Sequence, residues 1–192
     1  MGRRGIAIAV LAFSSFVNGQ EPIRVGMVND LTGTLADAGV QLDNGVKTAL
    51  RSCGRTIHVI RRDTGGPAPQ LARRLAHDLV ARDKVHVLAG FILTENAAAA
   101  AEVSAQAKVV VVVMHAPGAG VLEKSPYAVR TSHADPFVGG YDGMYAICEA
   151  LRRTGGRSDA DALITAMKGM RWESPRGPVF IAAESRELVA AR

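Results

Sequence analysis

Apolar residues along this chain alternate between two spacings, short runs of four to seven and longer stripes repeating every three or four positions. Ile23 to Val28 is a run that ends at Asn29 and Asp30, and Gly39 to Arg51 follows as a helix with Val40, Val46, Ala49 and Leu50 facing inward. The unit then repeats. Ile57 to Ile60 gives a second strand, and the Pro-Ala-Pro turn at 67 to 69 starts a helix with Leu71, Leu75 and Leu79 at i, i+4, i+8. Val85 to Ala89 reads as a third strand, and Glu95 to Gln106 as an alanine-dense helix able to pack closely on a sheet. Val109 to Val113 is an unbroken valine run, the pattern of a parallel strand covered on both faces, and Tyr127 to Thr131 makes a shorter fifth strand.

Strands alternating with helices of this length predict an α/β fold, an open parallel sheet with right-handed crossovers and helices on both faces. In such sheets ligands settle where the strands end. Here the strand ends are Asn29 to Gly33, Asp63 to Gly66, Gly90 to Thr94 and His115 to Gly118, polar and glycine-rich loops that fall together on one edge.

The alternation breaks near residues 133 to 143, where HADPFVGGYDG leads into two consecutive helical patterns without an intervening strand. Tyr141 to Arg152 places Tyr141, Met144, Tyr145, Cys148 and Leu151 on one stripe. Ser158 and Asp161 have the spacing of a capping box for a second helix, with Leu163, Ile164 and Met167 inward and Gly169 closing it. The turn SPRGPV, 174 to 179, feeds a short strand from Val179 to Ala182.

The 192 residues and 48% hydrophobic content fit one globular domain. The amino terminus is set apart. Arg3 and Arg4, the apolar run Gly5 to Val17 and the small or polar residues around Asn18 and Gly19 have the form of a cleaved secretory signal at residues 1–19, which predicts export to the periplasm. Its loss lowers the formal charge from +5 to +3, and the remaining bases are interspersed with acids, so nucleic acid is not an expected partner. In an exported protein Cys53 and Cys148 are able to pair, but 95 positions of separation give no framework signature, and two separate, partly buried thiols are the expectation. The five histidines lack HxxxH spacing and no CxxC occurs, so no metal is expected.

Chemical motifs are few. GxGxxG, GxxxxGK[ST] and GxSxG are all absent, which disfavours nucleotide enzymes and serine hydrolases of those types. Asp63, Thr64 and Gly65 spell the triplet of aspartic peptidases, and VLAG at 87 to 90 echoes the retroviral type. That chemistry needs two carboxylates sharing one proton, hence a dimer, and Arg61 and Arg62 stand where peptidases carry buried apolar residues. His115 follows the valine strand with no serine or cysteine nucleophile linked to it, and reads as a loop histidine.

Three segments carry a family resemblance: IRVGMVNDLTGTLADAG, then RRDTGGPAPQLARRLAHDLVARDKVHVLAG, then the valine strand with KSPYAVRTS. They resemble lobe 1 of type I periplasmic solute-binding proteins of ABC importers, the branched-chain amino acid group, a Rossmann-like lobe. GGYDGMYAICEALRRTGG and ALITAMKGMRWESPRGPV are similar to that family's C-terminal region. The resemblance implies a division into residues 20–135 as lobe 1 and residues 136–192 as the C-terminal segment of the same domain, joined where most of a second lobe is missing between Pro136 and Tyr141. It further implies a noncatalytic, cofactor-free monomer that binds a small amino acid, amide or acid and delivers it to an ABC permease. Thr94 and Leu93 after the third strand, Ala116 and Gly118 after the fourth, and Ala38 on the first helix stand at the family's ligand positions. Gly118 replaces a threonine common in relatives, and Ala38 an aromatic ring.

With one cleft wall absent, burial of about 70 to 90% of a small ligand is not attainable as in a full-length relative. Two other readings stay open, the peptidase and a nonfunctional remnant. The remnant predicts an exposed apolar face where the second lobe once crossed.

Overall fold

The computed structural model describes residues 22–132 and 134–191, so the expected signal at 1–19 lies outside the described residues. Five parallel strands, β1 (Ile23–Asn29), β2 (Ile57–Asp63), β3 (Val87–Gly90), β4 (Val110–Val113) and β5 (Ala128–Arg130), line up in the order β2-β1-β3-β4-β5. The sheet is the predicted one, and its direction of winding reverses at β1, which pairs β2 on one side and β3 on the other.

Helices cover both faces. On one side lie α1 (Ala36–Leu50), α4 (Pro136–Arg153) and α5 (Ala160–Met167), and on the other α2 (Pro69–Ala81) and α3 (Thr94–Ala107). The valine strand shows why an unbroken apolar run suits this position: Val110 and Val112 enter the α1/α4 core while Val111 and Val113 enter the α2/α3 core. All four are fully buried.

Two inward faces differ from the sequence reading. Val40 is 50% exposed, because α1 buries Gly39, Leu42, Asp43, Val46 and Ala49, and position 40 falls on the opposite side. In α2 the buried stripe is Ala72, Ala76 and Leu79, with Leu71 and Leu75 at its margins. Small side chains let α2 lie close to the sheet, where Leu79 packs directly against Gly26 of β1.

The segment after residue 133 joins this core. Asp135 caps α4 by accepting the Val138 N–H at 2.9 Å, and Pro136 opens the first turn. α4 then runs beside α1 at a separation that only glycines permit. A Cβ at Gly45 would lie 2.0 Å from the Phe137 carbonyl oxygen, and one at Gly140 would lie 2.1 Å from that of Leu42. Just past the carboxyl end of α1, Cys53 meets Cys148 of α4 in a disulfide, with Cα atoms 5.3 Å apart. The expectation of two separate thiols is therefore corrected: close helix packing brings together cysteines that sequence spacing cannot relate.

α5 begins at Asp159, whose carboxylate accepts from Ala162 N at 2.9 Å, so the cap is one residue past the predicted Ser158. The single strand expected beyond it is part of a three-stranded antiparallel sheet, β6 (Arg171–Ser174), β7 (Gly177–Ile181) and β8 (Leu188–Ala190). Trp172 of β6 stacks on Tyr145 of α4, and Tyr145 stacks on Tyr141. Beneath them the fully buried Asp142 accepts from Trp172 Nε1, Ser174 Oγ and Arg176. Burial pushes this carboxyl up from its ordinary range, and the three donors counteract only part of that rise.

Among the described residues only Val40 and Val189 are large, apolar and exposed, and they lie on separate elements. The described surface thus lacks the broad apolar face that a remnant stripped of its second lobe was expected to show. No helix among the described residues is long and apolar enough to cross a membrane.

Candidate functional site

The carboxyl ends of β1, β2, β3 and β4 converge on one edge, as their loops predicted, and two groups of contacts shape that edge. The first joins the ends of β1 and β2. Asp63 accepts from the Leu31 N–H, the Gly65 N–H and the Thr32 hydroxyl, at 2.8, 2.9 and 2.6 Å. Asp30 accepts from the Thr64 hydroxyl and the Gly66 N–H, while Asn96 bonds Gly66 and Ala68 from α3. Burial is the largest single influence on the Asp63 carboxyl and raises it, but the hydrogen bonds from Thr32, Leu31 and Gly65 together outweigh it and hold the group below its ordinary range.

That arrangement gives the Asp-Thr-Gly triplet a structural task within this chain. A peptidase dyad would place two such carboxyls around one water, sharing a proton. Asp63 is instead an ionised clasp between neighbouring loops, at the end of an edge strand in a parallel sheet. The triplet Asp-Thr-Gly serves as a strand-end turn, with Gly65 at φ +67°.

The second group joins the ends of β3 and β4. Gly90 and Phe91 both adopt positive φ, 106° and 72°, and the Phe91 N–H bonds Val28 O of β1 at 2.8 Å. A buried aromatic residue in the left-handed region is uncommon and persists only where the surroundings fix it. The bend turns the chain abruptly into α3, with Leu93 at the cap position and Thr94 as first residue. Gly118 donates its N–H to Thr94 Oγ1 at 2.9 Å, which draws two predicted site residues together.

Ala116 stands differently. It is completely buried, its N–H bonds Phe91 O at 3.1 Å and its carbonyl accepts from Arg130, so it supports the loop from beneath. Ala38 sits half-buried in the first turn of α1, which is held to β1 by the bond from Asn29 Nδ2 to Gly39 O. Leu93, Thr94 and Gly118 are likewise only partly buried.

Two features escaped the sequence reading. The amino end of α3 has no side-chain cap, so its first N–H groups and the positive end of its dipole are directed at this edge. Arg130, at the end of β5, is 6% exposed and donates to both Ala116 O and Gly118 O. The sequence concealed the α3 feature, because a helix read from Glu95 places Thr94, a favoured capping residue, at the cap, whereas Thr94 is the first helical residue and Leu93 precedes it.

Against known proteins, a family model described as "Periplasmic binding protein" matches residues 22–137. The chain belongs to this periplasmic binding protein family. A Leu/Ile/Val-binding protein homolog of Brucella abortus (strain 2308) is 31% identical over 131 residues, covering 66% of this chain and 34% of that protein. The chain thus spans about a third of the length of the curated relatives it matches.

Among solved structures of the family, a solute binding protein of an ABC transporter from Rhodopseudomonas palustris BisB5, in complex with 3,4-dihydroxybenzoic acid, superposes with a TM-score of 0.83. It is 23% identical, with 89% of this chain and 92% of that chain covered. A leucine binding protein from Thermotoga maritima MSB8 gives a TM-score of 0.77 at 9% identity, over 88% of this chain and 93% of that one. At these identities the likeness is one of fold, and the fold is the periplasmic binding protein α/β sheet.

Proposed function

We propose that this chain is a periplasmic solute-binding component of an ABC importer, reduced to one lobe, and that it holds the carboxylate of a small amino acid or aromatic acid at the edge formed by Leu93, Thr94, Gly118 and Ala38. The observation that carries the reading is the uncapped amino end of α3, with the Thr94 hydroxyl beside it, at the point where the sheet reverses direction. A helix start of this kind favours an anion, and the reversal point is where open α/β sheets place their ligands. Thr94 Oγ1 already accepts from Gly118, which leaves its own proton to donate to a carboxylate oxygen.

The internal join belongs to the same proposal. The family match ends at residue 137, the second residue of α4, whereas the structural likeness takes in nearly nine-tenths of the chain. This supports residues 20–135 as lobe 1 and 136–192 as returning chain of the same domain. Export through cleavage after residue 19, a monomeric state and delivery to a membrane permease form part of the same reading, which family membership supports in outline. With one wall to the site, affinity is low and cleft closure around the solute does not occur in the manner of two lobes.

The test is thermal unfolding of the chain from residue 20 onward with leucine, isoleucine, valine, benzoate and 3,4-dihydroxybenzoate, each at high concentration. A ligand that binds the folded state raises Tm by mass action, equivalent to about 2.7 kcal/mol at a hundredfold excess over Kd. A rise with at least one ligand that Thr94→Ala abolishes supports the proposal. Absence of any rise across the panel would refute it.

A further inference from the structure

We propose that the C-terminal hairpin sets the shape of the loop that faces the solute, with Arg130 as a positioning residue for Ala116 and Gly118 and Glu187 as the group that positions Arg130. The inference rests on the solute site proposed above for its functional meaning, but its geometry stands independently.

The Arg130 guanidinium connects two regions far apart in sequence. Its Nη1 donates to Ala116 O at 3.1 Å and to Gly118 O at 2.7 Å, and its Nη2 forms an ion pair with Glu187. The planar fork of arginine suits this double task, whereas a lysine ammonium is a point charge without a fixed geometry. The backbone repeats the connection: Arg130 N donates to Arg186 O at 3.1 Å, and residues 130 and 187 form a parallel bridge at the free edge of β5.

Glu187 is itself held in place. Arg186 adopts φ +59° and its guanidinium donates to Leu122 O, Ser125 O and Ala128 O, so the turn is fastened to the chain leading into β5. Ala182 N bonds Glu187 O and Arg186 N bonds Ala182 O, closing the turn on itself.

Burial makes the charge pair consequential. The Arg130 side chain is 8% exposed and that of Glu187 26%, so removing the carboxylate would leave a desolvated guanidinium whose remaining partners are neutral carbonyls. A cavity of about 350 Å³ lies elsewhere, at the opposite edge of the sheet, but one of about 310 Å³ is lined by Ala119, Gly120, Arg130, Glu184 and Glu187. The loop tip and the hairpin therefore communicate there through the guanidinium more than through close packing. Arg130 holds the carbonyls on either side of the peptide whose N–H reaches Thr94, so the hairpin contributes to the geometry of the site without touching a solute.

Native-state hydrogen exchange of the unmodified chain, from residue 20 onward, tests this first. The amides of Gly118, Arg130, Ala182 and Arg186 are expected to open together with one denaturant dependence, as members of a single cooperative unit. Opening of the hairpin amides while Gly118 stays protected overturns the proposal. Glu187→Gln and Arg130→Lys supply the second readout. Each is expected to speed Gly118 exchange on the order of tenfold, the scale of one lost charge-assisted hydrogen bond, while the Thr64 amide on the neighbouring loop exchanges as before.

Uniform acceleration of both amides, or none at Gly118, counts against a positioning role. If no solute raises Tm, the binding proposal fails while the exchange results still decide this one. If a solute does bind, Glu187→Gln weakens it several-fold and the reference amide remains unchanged.

Discussion

Gly118 and Thr94 fit each other in two ways: the glycine N–H donates to the threonine hydroxyl at 2.9 Å, and a Cβ on residue 118 would lie 2.3 Å from Thr94 Cγ2. The absence of a side chain at 118 and the presence of a branched one at 94 are thus a matched pair. Gly118→Ala is expected to destabilise by about 1 to 3 kcal/mol, the usual cost of overpacking. Thr94→Ser removes the methyl group and keeps the hydroxyl, so the double variant should recover part of that loss. A denaturant double-mutant cycle measures the coupling, and strict additivity of the two changes would show that the contact is not the cause.

The Cys53–Cys148 disulfide closes a loop of 95 positions. Constraining the unfolded chain over such a length corresponds to roughly 4 to 5 kcal/mol in the chain-entropy treatment. Urea unfolding with and without reductant, alongside the Cys53→Ser/Cys148→Ser double variant, is expected to show a loss of this order in both cases. Equal midpoints for the oxidised and reduced chain would mean that the bond adds nothing to what α1 and α4 packing already provides.

Gly45→Ala and Gly140→Ala address that packing directly. Each added methyl meets a main-chain carbonyl oxygen, at 2.0 and 2.1 Å, and a backbone cannot rotate aside as a side chain can. Losses of about 3 kcal/mol or more are expected, at the upper end for overpacked cores. Far-ultraviolet circular dichroism during thermal unfolding reports them. A Tm within a degree or so of the parent, on the scale of a small fraction of 1 kcal/mol, is the contrary result.

Glu149 accepts from both Arg152 and Arg153 on the surface of α4. The Arg152 hydrogen bonds are the largest influence; burial opposes them and Arg153 adds to them, leaving the carboxyl at about 2 instead of 4.5. Because the folded state lowers this value, the associated stability is present above about 4.5 and is lost as pH falls toward about 2. Unfolding free energy measured from neutral pH downward should decline less steeply in Glu149→Gln than in the parent over that interval. Arg152 is 73% exposed, so solvent and salt weaken the pair, and the difference should shrink further at high ionic strength.

The parallel sheet was legible in the sequence because its signals are local. Four of its five strands are apolar runs with turn residues at their ends, and the alternation of strand and helix determines direction and layering without knowledge of distant contacts. What escaped the sequence depends on contacts between remote positions. The Cys53–Cys148 pairing, the Glu187–Arg130 contact and the burial of Ala116 all arise from helices and loops meeting across 14 to 95 positions.

Val40 and Leu71 illustrate a second cause. An apolar residue at the margin of a helical stripe is ambiguous until the helix's rotation against the sheet is known, and that rotation is set by the glycines and alanines that allow close approach. The small antiparallel sheet was only partly visible because Arg171–Ser174 alternates over four residues, too few for a period to register.

The start of α4 carries its own instructions: an aspartate cap, a proline in the first turn and glycines that seat the helix on α1. Ser132 adds a short clasp to them, its hydroxyl accepting from Ala134 N and Asp135 N and donating to Asp135 O, and so holding the two ends of the approach together. Because Ser132 and Asp135 lie side by side, an independently folding module with closely spaced ends should be accommodated between them at the cost of those bonds, while the sheet and its helices keep their register.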